Sequence, residues 1–149
     1  MVSPGRQTLS VSMIASNEAA SLARTLRGVD RPDEIVLVDS GSTDETIAIA
    51  ERQGARVYYQ EWLGFGAQKN RALEKCTMDW ILSIDADERV DEALRDQILG
   101  VLASDPPCDA FYLSRRNFFL CRWLKHGGFY HEPILWLFRR GSAPSNHPA

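Results

Sequence analysis

The sequence predicts an α/β fold with a mostly parallel sheet and helices on both of its faces. Short apolar runs rich in β-branched residues alternate with helical patterns of about ten residues, as in right-handed βαβ units. Carboxylates and amides directly follow three of the apolar runs, which is where ligands bind in open α/β sheets. The chain has 149 residues, 44% of them hydrophobic, enough for one globular domain with its own core.

Each element can be predicted from its periodicity and its turn residues. The first strand (8–14) leads through Ser16-Asn17-Glu18 into a helix from Ala19 to Gly28, and the second strand (34–38) ends at Asp39. The second helix is expected to have Thr43 as its N-cap, Gly54 as its stop, and Ile47, Ala48, Ile49 and Ala50 facing inward. The remaining predicted elements are a strand (56–60), a helix (67–76), a strand (80–84), a helix (91–103), and strands at 110–114 and 134–138.

Two stretches are predicted to lack regular structure. The residues between the last two strands form an irregular aromatic segment, and the Ser- and Pro-rich residues 141–149 form a disordered tail. The predicted domain therefore spans residues 1–140.

Charge and cysteine content narrow the function classes. The net charge of -3 gives no overall case for nucleic acid as a partner, but residues 115–140 carry a local charge of +5 among aromatic side chains. That segment fits an anionic lipid surface or a phosphorylated acceptor; packing of its aromatics in the core is the competing interpretation.

Three cysteines at irregular spacing form neither a zinc motif nor a disulfide framework, so reduced thiols are expected. No apolar run approaches the length of a membrane span, and no signal peptide is evident, so a cytoplasmic location is expected.

The fourth predicted strand ends in the motif Asp-Ala-Asp-Glu at residues 85–88. In an extended chain Asp85 and Asp87 would lie roughly 7 Å apart on one side, so we expect a bend that lets one of them take a hard divalent cation. Mg²⁺ and similar ions commonly use one or two carboxylates together with substrate phosphates, which points to a diphosphate ligand. The alternative is that these acids only cap the following helix.

Three loops of this kind are expected to meet at one edge of the sheet, at residues 15–18, 39–44 and 85–88. Glu18 and Asp39 can accept hydrogen bonds from a base or a ribose. Ser42 belongs to a tight turn beside the ligand, whereas Asp44 could be only a first-turn acid of its helix. Lys69 and Arg71 could reach phosphates, although helix cations are often simply solvated.

These residues resemble family 2 inverting glycosyltransferases over roughly residues 8–140. The segments that carry the resemblance are VSMIASNE at 11–18, IVLVDSGSTDET at 35–46, QKNRA at 68–72 and DADE at 85–88. The segments GFG at 64–66 and RWLKHGGFY at 122–130 resemble, within that family, the branch that adds a sugar to the lipopolysaccharide inner core.

The resemblance implies a GT-A fold, a nucleotide-diphosphate sugar donor such as a UDP-sugar, a glycan or glycolipid acceptor, and Mg²⁺ or Mn²⁺. Carried over to this sequence, Glu18 and Asp39 would contact the nucleoside, Asp85 would lie by the ribose and the metal, and Asp87 would bind the metal directly. In such enzymes a carboxylate base deprotonates the acceptor, with inversion at the anomeric carbon. Peripheral association with the inner face of the plasma membrane would suit a glycolipid acceptor.

The sequence departs from the family pattern after residue 140. Family members continue beyond this point, and their base lies in the continuation, so the acceptor part of the domain is expected to be incomplete and the base is not identified. Glu132 is the sole carboxylate after Asp109 and is a weak candidate for the base. Two further interpretations stay open: a fragment that binds nucleotide and metal without turnover, and a phosphohydrolase with Asp85 as nucleophile.

Overall fold

The computed structural model describes residues 6–114, 117–122 and 135–142. Its helices are α1 (Ala19–Val29), α2 (Thr46–Arg52), α3 (Phe65–Glu74) and α4 (Glu92–Ala103). Its strands are β1 (Leu9–Ala15), β2 (Glu34–Asp39), β3 (Arg56–Tyr59), β4 (Trp80–Ile84), β5 (Ala110–Ser114), β6 (Asn117–Arg122) and β7 (Leu135–Arg139).

The strands form one sheet in the order β3-β2-β1-β4-β7-β5-β6. Strands β1 to β4 pair in parallel. β7 is antiparallel to both of its neighbours, β4 and β5, and β6 is antiparallel to β5. Five of the seven described strands therefore run in the same direction, which confirms the prediction of a mostly parallel sheet.

Helices cover both faces of the sheet, as predicted. On one face, side chains of α1, α2 and α4 such as Leu22, Ala50 and Leu102 pack with Val11 and Leu82. On the other face, Ala72 of α3 packs with residues that include Val36, Ile81 and Phe138. Neighbouring residues of one strand, such as Ile81 and Leu82, enter opposite cores because successive strand side chains alternate between faces.

The start of α2 differs from the prediction. The helix begins at Thr46 rather than just after Thr43, and Thr46 is buried whereas Ala48 is exposed. The cause is that residues 43–45 form a loop bonded to the preceding β1–α1 connection, so they are not available for a first helical turn. Gly54, at a positive φ of 87°, does end this segment as expected.

Two further corrections concern the second half of the chain. The segment predicted to be irregular contains β6, which pairs with β5. Its Asn-Phe-Phe-Leu-Cys-Arg sequence is rich in strand formers, and pairing with the neighbouring strand makes it a strand.

Cys108 is disulfide-bonded, whereas Cys76 is a free, buried thiol. The expectation of reduced thiols is therefore wrong for Cys108, because irregular sequence spacing does not reveal which cysteines the fold brings together.

Part of the basic aromatic segment has a structural role. Trp136 is buried, with its ring 5.4 Å from that of Tyr112, and the Arg139 guanidinium lies over the Trp80 ring and bonds Asp105. Core packing thus explains Trp136. Trp123, Phe129, Tyr130 and most of the other cations of the segment, together with the candidate base Glu132, lie outside the described residues. Among the described helices, none combines the length and the apolar character needed to cross a bilayer.

Candidate functional site

The loops after β1, β2 and β4 emerge at one edge of the sheet. Ala15 at the end of β1 is in register with Asp39 at the end of β2, and Ser12 of β1 is in register with Ser83 of β4. Because the three strands are parallel neighbours in the order β2-β1-β4, their carboxyl ends lie side by side. The predicted meeting of these loops is confirmed.

The first two loops are held together by Asn17. This residue has a positive φ of 53°, a conformation that asparagine tolerates better than most residues. Its side-chain Oδ1 accepts hydrogen bonds from the backbone N–H groups of Thr43 and Asp44 at 2.8 and 3.3 Å, and its own N–H donates to Ser42 Oγ. Asn17 was not among the predicted site residues, although its position between a strand and a helix marks it as a turn residue.

Asp44 caps two helices at once. Its Oδ2 accepts from the Ala19 N–H at 3.2 Å, at the start of α1, and its Oδ1 accepts from the Thr46 N–H at 2.9 Å, at the start of α2. The Thr46 hydroxyl also donates to Oδ1. The hydrogen bond from the Thr46 side chain, followed by that from its backbone, lowers the pKa of the Asp44 carboxyl. Asp44 thus has the structural role that was the alternative to ligand binding, although it lies just before α2 and not in its first turn.

Asp39 lies beneath the β2–α2 loop and shapes it. The residue is only 1% exposed; its Oδ2 accepts from the N–H groups of Gly41 and Ser42, each at 2.8 Å, and its Oδ1 accepts from the Ser42 hydroxyl. Since Ser42 Oγ also accepts from Asn17, the Ser42 hydroxyl is engaged on both sides within the loop. Gly41 has a φ of 117°, which L side chains rarely adopt, so glycine suits this turn.

The acidic loop, residues 85–90, bends as predicted. The Glu88 N–H donates to the Asp85 carbonyl at 3.1 Å, closing a turn. One carboxylate oxygen from each of Asp85, Asp87 and Glu88 lies within 4.8 Å of the others. Glu88 was missing from the predicted metal ligands, because the sequence shows three acids within four positions but not which of them a bend brings together.

This acid group fits a hard divalent cation. Oxygens bound to one Mg²⁺-like ion at about 2.1 Å lie about 3–4 Å apart, so only small side-chain rotations are needed from the observed arrangement. Asp87 is exposed, and Asp85 and Glu88 are partly exposed, so an ion can approach this group from solvent. A set of oxygen ligands also suits Mg²⁺ or Mn²⁺ better than softer metals.

Of the two predicted phosphate-binding cations, the structure brings one to the acidic loop. Lys69 Nζ on α3 lies 3.7 Å from Asp85 Oδ1. Arg71, by contrast, pairs with Glu74 on the same helix at 3.4 Å. Two residues along a helix turn a side chain by about 200°, which explains why Lys69 and Arg71 point in different directions.

The remaining predicted residue, Glu18, is partly buried at the start of α1. Its Oε2 accepts from the Ser21 hydroxyl at 3.4 Å, and its backbone N–H donates to Thr46 Oγ1 at 2.9 Å. Glu18 thus lies between the β2–α2 loop and the first turn of α1. The site combines two hydrogen-bonded loops with a carboxylate group and one lysine, which is an arrangement suited to a metal-bound diphosphate with an attached polar group.

A sequence profile described as Glycosyl transferase family 2 matches residues 10–147. The chain belongs to glycosyltransferase family 2. The match includes all three loops at the sheet edge, so the resemblance predicted from the motifs is confirmed.

Individual relatives agree with the family assignment. The chain is 46% identical over 99 residues to an uncharacterized glycosyltransferase from Rickettsia felis, an alignment that covers 66% of this chain and 35% of the relative. It is 38% identical over 117 residues to the lipopolysaccharide core biosynthesis glycosyltransferase LpsC from Rhizobium meliloti, covering 75% of this chain and 43% of LpsC. The aligned part of the chain thus spans less than half the length of these curated relatives.

Solved structures of glucosyl-3-phosphoglycerate synthase from Mycobacterium tuberculosis have the same fold. One matches with a TM-score of 0.68 at 21% identity over 91% of this chain and 58% of that chain. A second, in complex with Mn²⁺, UDP and glucosyl-3-phosphoglycerate, matches with a TM-score of 0.56 at 25% identity over 70% of this chain and 42% of that chain. The predicted GT-A fold is therefore confirmed.

Proposed function

We propose that this chain binds the donor for a glycosyltransferase that moves a sugar from a nucleotide diphosphate to a glycan or glycolipid acceptor. The observation that carries the proposal is the convergence of the Asp85, Asp87 and Glu88 carboxylates beside the loops of Glu18 and Asp39. A divalent cation held there would stabilise the departing diphosphate.

Different residues of the chain would bind different parts of the donor. Asp87, with Asp85 and Glu88, would hold Mg²⁺ or Mn²⁺, and Lys69 would approach the diphosphate from the α3 side. Glu18 would contact the nucleoside. Asp39, which is buried, would fix the Gly41–Ser42 turn against which the base or ribose lies. Its carboxylate can accept further hydrogen bonds, so Asp39 would also contact the base or ribose directly. We infer a smaller role for Arg71, because it pairs with Glu74.

We propose the base of the donor and the kind of acceptor from the likeness to the relatives. A uridine base is supported by the Mycobacterium tuberculosis enzyme, which was solved with UDP and Mn²⁺. An acceptor in the lipopolysaccharide inner core is supported by the likeness to LpsC and by the GFG and RWLKHGGFY segments. With such an acceptor the protein would work at the inner face of the plasma membrane, and sedimentation with anionic vesicles at low and high salt tests that association.

The proposed function is tested by binding and turnover measured in the same preparation. Calorimetry should show UDP binding that requires MnCl₂, and an assay with a UDP-sugar and a lipopolysaccharide-core acceptor should show whether sugar is transferred, the donor is hydrolysed, or neither occurs. Metal-independent UDP binding would contradict the assigned cation site. Metal-dependent binding with neither transfer nor hydrolysis would favour a nucleotide-binding role without turnover.

A further inference from the structure

One face of α1 contacts the backbone of the acidic loop. Ser21, Thr25 and Gly28 follow one another at spacings of four and three residues, which places them on the same side of the helix. Ser21 Oγ lies 3.2 Å from the Ala86 carbonyl oxygen, and Thr25 Oγ1 lies 2.9 Å from that oxygen and 2.5 Å from the carbonyl oxygen of Glu88. The two hydroxyls therefore donate to the loop at both ends of its bend.

Gly28 extends this contact by close approach. A Cβ atom added at Gly28 would lie 2.6 Å from the Val90 carbonyl oxygen and 3.0 Å from the Val90 Cβ. The first of these distances is shorter than real Cβ contacts and is to a backbone atom, so glycine is required for the helix to lie this close to the loop. Gly28 is not at a positive φ, so proximity to the loop, rather than backbone conformation, accounts for glycine here.

The loop is anchored while its acids stay exposed. Ala86 and Val90 are 4% and 6% exposed and belong to the core that α1 shares with the sheet, and Thr25 is 0% exposed. The intervening Asp87 is exposed. At the far end of the loop, Asp91 caps α4 by accepting from the Leu94 N–H at 2.8 Å. The backbone is thus fixed between two helices, with the carboxylates on its outer side.

We infer that the Ser21–Thr25–Gly28 face of α1 positions the acidic loop, and that its contacts with the Ala86, Glu88 and Val90 backbone hold the three carboxylates in the arrangement that binds the cation. The three residues are positioning residues, since they touch the loop and not the ligand atoms. This inference rests on the proposed function, because it concerns the same cation. It adds that metal binding also depends on residues of α1, which lie more than fifty residues before the acids in the chain.

Ser21 also connects the cation site with the nucleoside side of the pocket. Its hydroxyl lies between the Ala86 carbonyl oxygen at 3.2 Å and Glu18 Oε2 at 3.4 Å. A hydroxyl donates one hydrogen at a time, so engagement of Glu18 by a nucleoside leaves Ser21 to donate to the acidic loop. Binding of UDP should therefore strengthen the hold of α1 on the loop.

The test compares Thr25→Val with Thr25→Ser. Valine keeps the shape of threonine without its hydroxyl, whereas serine keeps the hydroxyl. Mn²⁺ affinity is measured by electron paramagnetic resonance of the free ion, with MnCl₂ alone and with UDP, and the melting temperature is measured without metal. Because groups that orient metal ligands are worth about 10–100-fold in metal affinity, we expect Thr25→Val to weaken Mn²⁺ binding about tenfold and Thr25→Ser to stay within about twofold of the parent.

A pair of glycine substitutions provides a second, independent test. Gly28→Ala should force the loop away and weaken Mn²⁺ binding about as much as Thr25→Val. Gly100→Ala is the matched control, because Gly100 also lies in a helix but a Cβ there meets nothing within 4 Å. Alanine favours helices over glycine, so Gly100→Ala should raise the melting temperature and leave Mn²⁺ affinity unchanged.

The outcomes separate this inference from the proposed function. If the parent protein does not bind Mn²⁺ with UDP, the proposed function fails. If the parent binds and Thr25→Val or Gly28→Ala binds equally well, the inference is wrong and α1 has only a packing role. If Thr25→Val does not fold, Gly28→Ala and Ser21→Ala decide the matter by the same affinity measurement.

Discussion

Lys69 reaches the acidic loop from the face of the sheet opposite to α1, and its Nζ atom lies 3.7 Å from Asp85 Oδ1. The acidic loop is therefore contacted from both sides, by two hydroxyls of α1 and by one cation of α3. A lysine so close to a group of carboxylates reduces their mutual repulsion and also places a positive charge where a diphosphate would lie beside the cation.

Lys69→Met should weaken UDP binding in the presence of Mn²⁺. A hydrogen bond to a charged group contributes about 1.5–3 kcal/mol, which corresponds to about 10–100-fold in the dissociation constant. Calorimetric titration gives this constant directly. Arg71→Met is the matched control on the same helix, and because Arg71 pairs with Glu74, we expect little change. Equal losses in the two variants would show that overall charge, rather than the position of Lys69, attracts the nucleotide.

Asp87→Asn should abolish the metal dependence of UDP binding and leave the fold intact. Asp87 is exposed, so the substitution removes a metal ligand without opening the core. Asp85→Asn and Glu88→Gln should each weaken the metal dependence less. Titrations with and without MnCl₂, together with urea unfolding, measure the two effects separately. Asp96→Asn on α4, also exposed, should change neither; retention of full Mn²⁺ dependence by Asp87→Asn would exclude Asp87 as a ligand.

Asp39→Ala should lower both stability and nucleotide affinity. The substitution removes the charged acceptor of the partly buried Gly41 and Ser42 N–H groups, and a hydrogen bond to a charged group contributes about 1.5–3 kcal/mol. Asp39→Asn keeps one acceptor oxygen and should cost less. Urea unfolding reports the stability change, and calorimetry with UDP reports the affinity. Loss of stability with unchanged affinity for UDP would assign Asp39 a purely structural role.

The lowered pKa of Asp44 predicts how the stability of the protein changes at acidic pH. Because hydrogen bonds from Thr46 lower its pKa in the folded protein below the usual value of 3.8, its stabilising contribution is complete above that value. The contribution is lost as the pH falls through the lowered native pKa. Asp44→Asn should therefore lower the free energy of unfolding at pH 7 and flatten its decline below about pH 4. Urea unfolding from pH 7 to pH 2.5 measures both changes, with Glu51→Gln, an exposed acid of α2, as control; parallel curves for Asp44→Asn and the parent would contradict the prediction.

Local sequence patterns predict much of the fold because the strands are apolar and are bounded by turn residues. The bounds predicted for β4 and β5 agree with the structure, and those of β1 and β2 differ by one residue at most at each end. The meeting of the three loops follows from parallel pairing alone. Periodicity could not predict that β7 inserts between β4 and β5, because it reports which face a residue occupies and not which strand becomes its neighbour.

The candidate site was predictable where its residues lie close together in the chain. Asp85 and Asp87 stand out after a buried strand. Glu88 was missed because its inclusion depends on the turn closed between the Glu88 N–H and the Asp85 carbonyl. The bond from Thr25 to Ala86 joins residues 61 positions apart, and no local signal indicates such a contact. The direction of Arg71 likewise follows from the rotation of α3 about its axis, which packing against the sheet determines.

The position of β7 in the sheet affects how the chain folds. β4 pairs on one side with β1 and on the other with β7, whose residues Leu135–Arg139 come more than fifty positions later. During synthesis, β4 therefore has an open hydrogen-bonding edge until residue 139 has left the ribosome, and such an edge can pair with other chains. The strand that leads into Asp85 is completed by a late, long-range contact of the kind that slows folding.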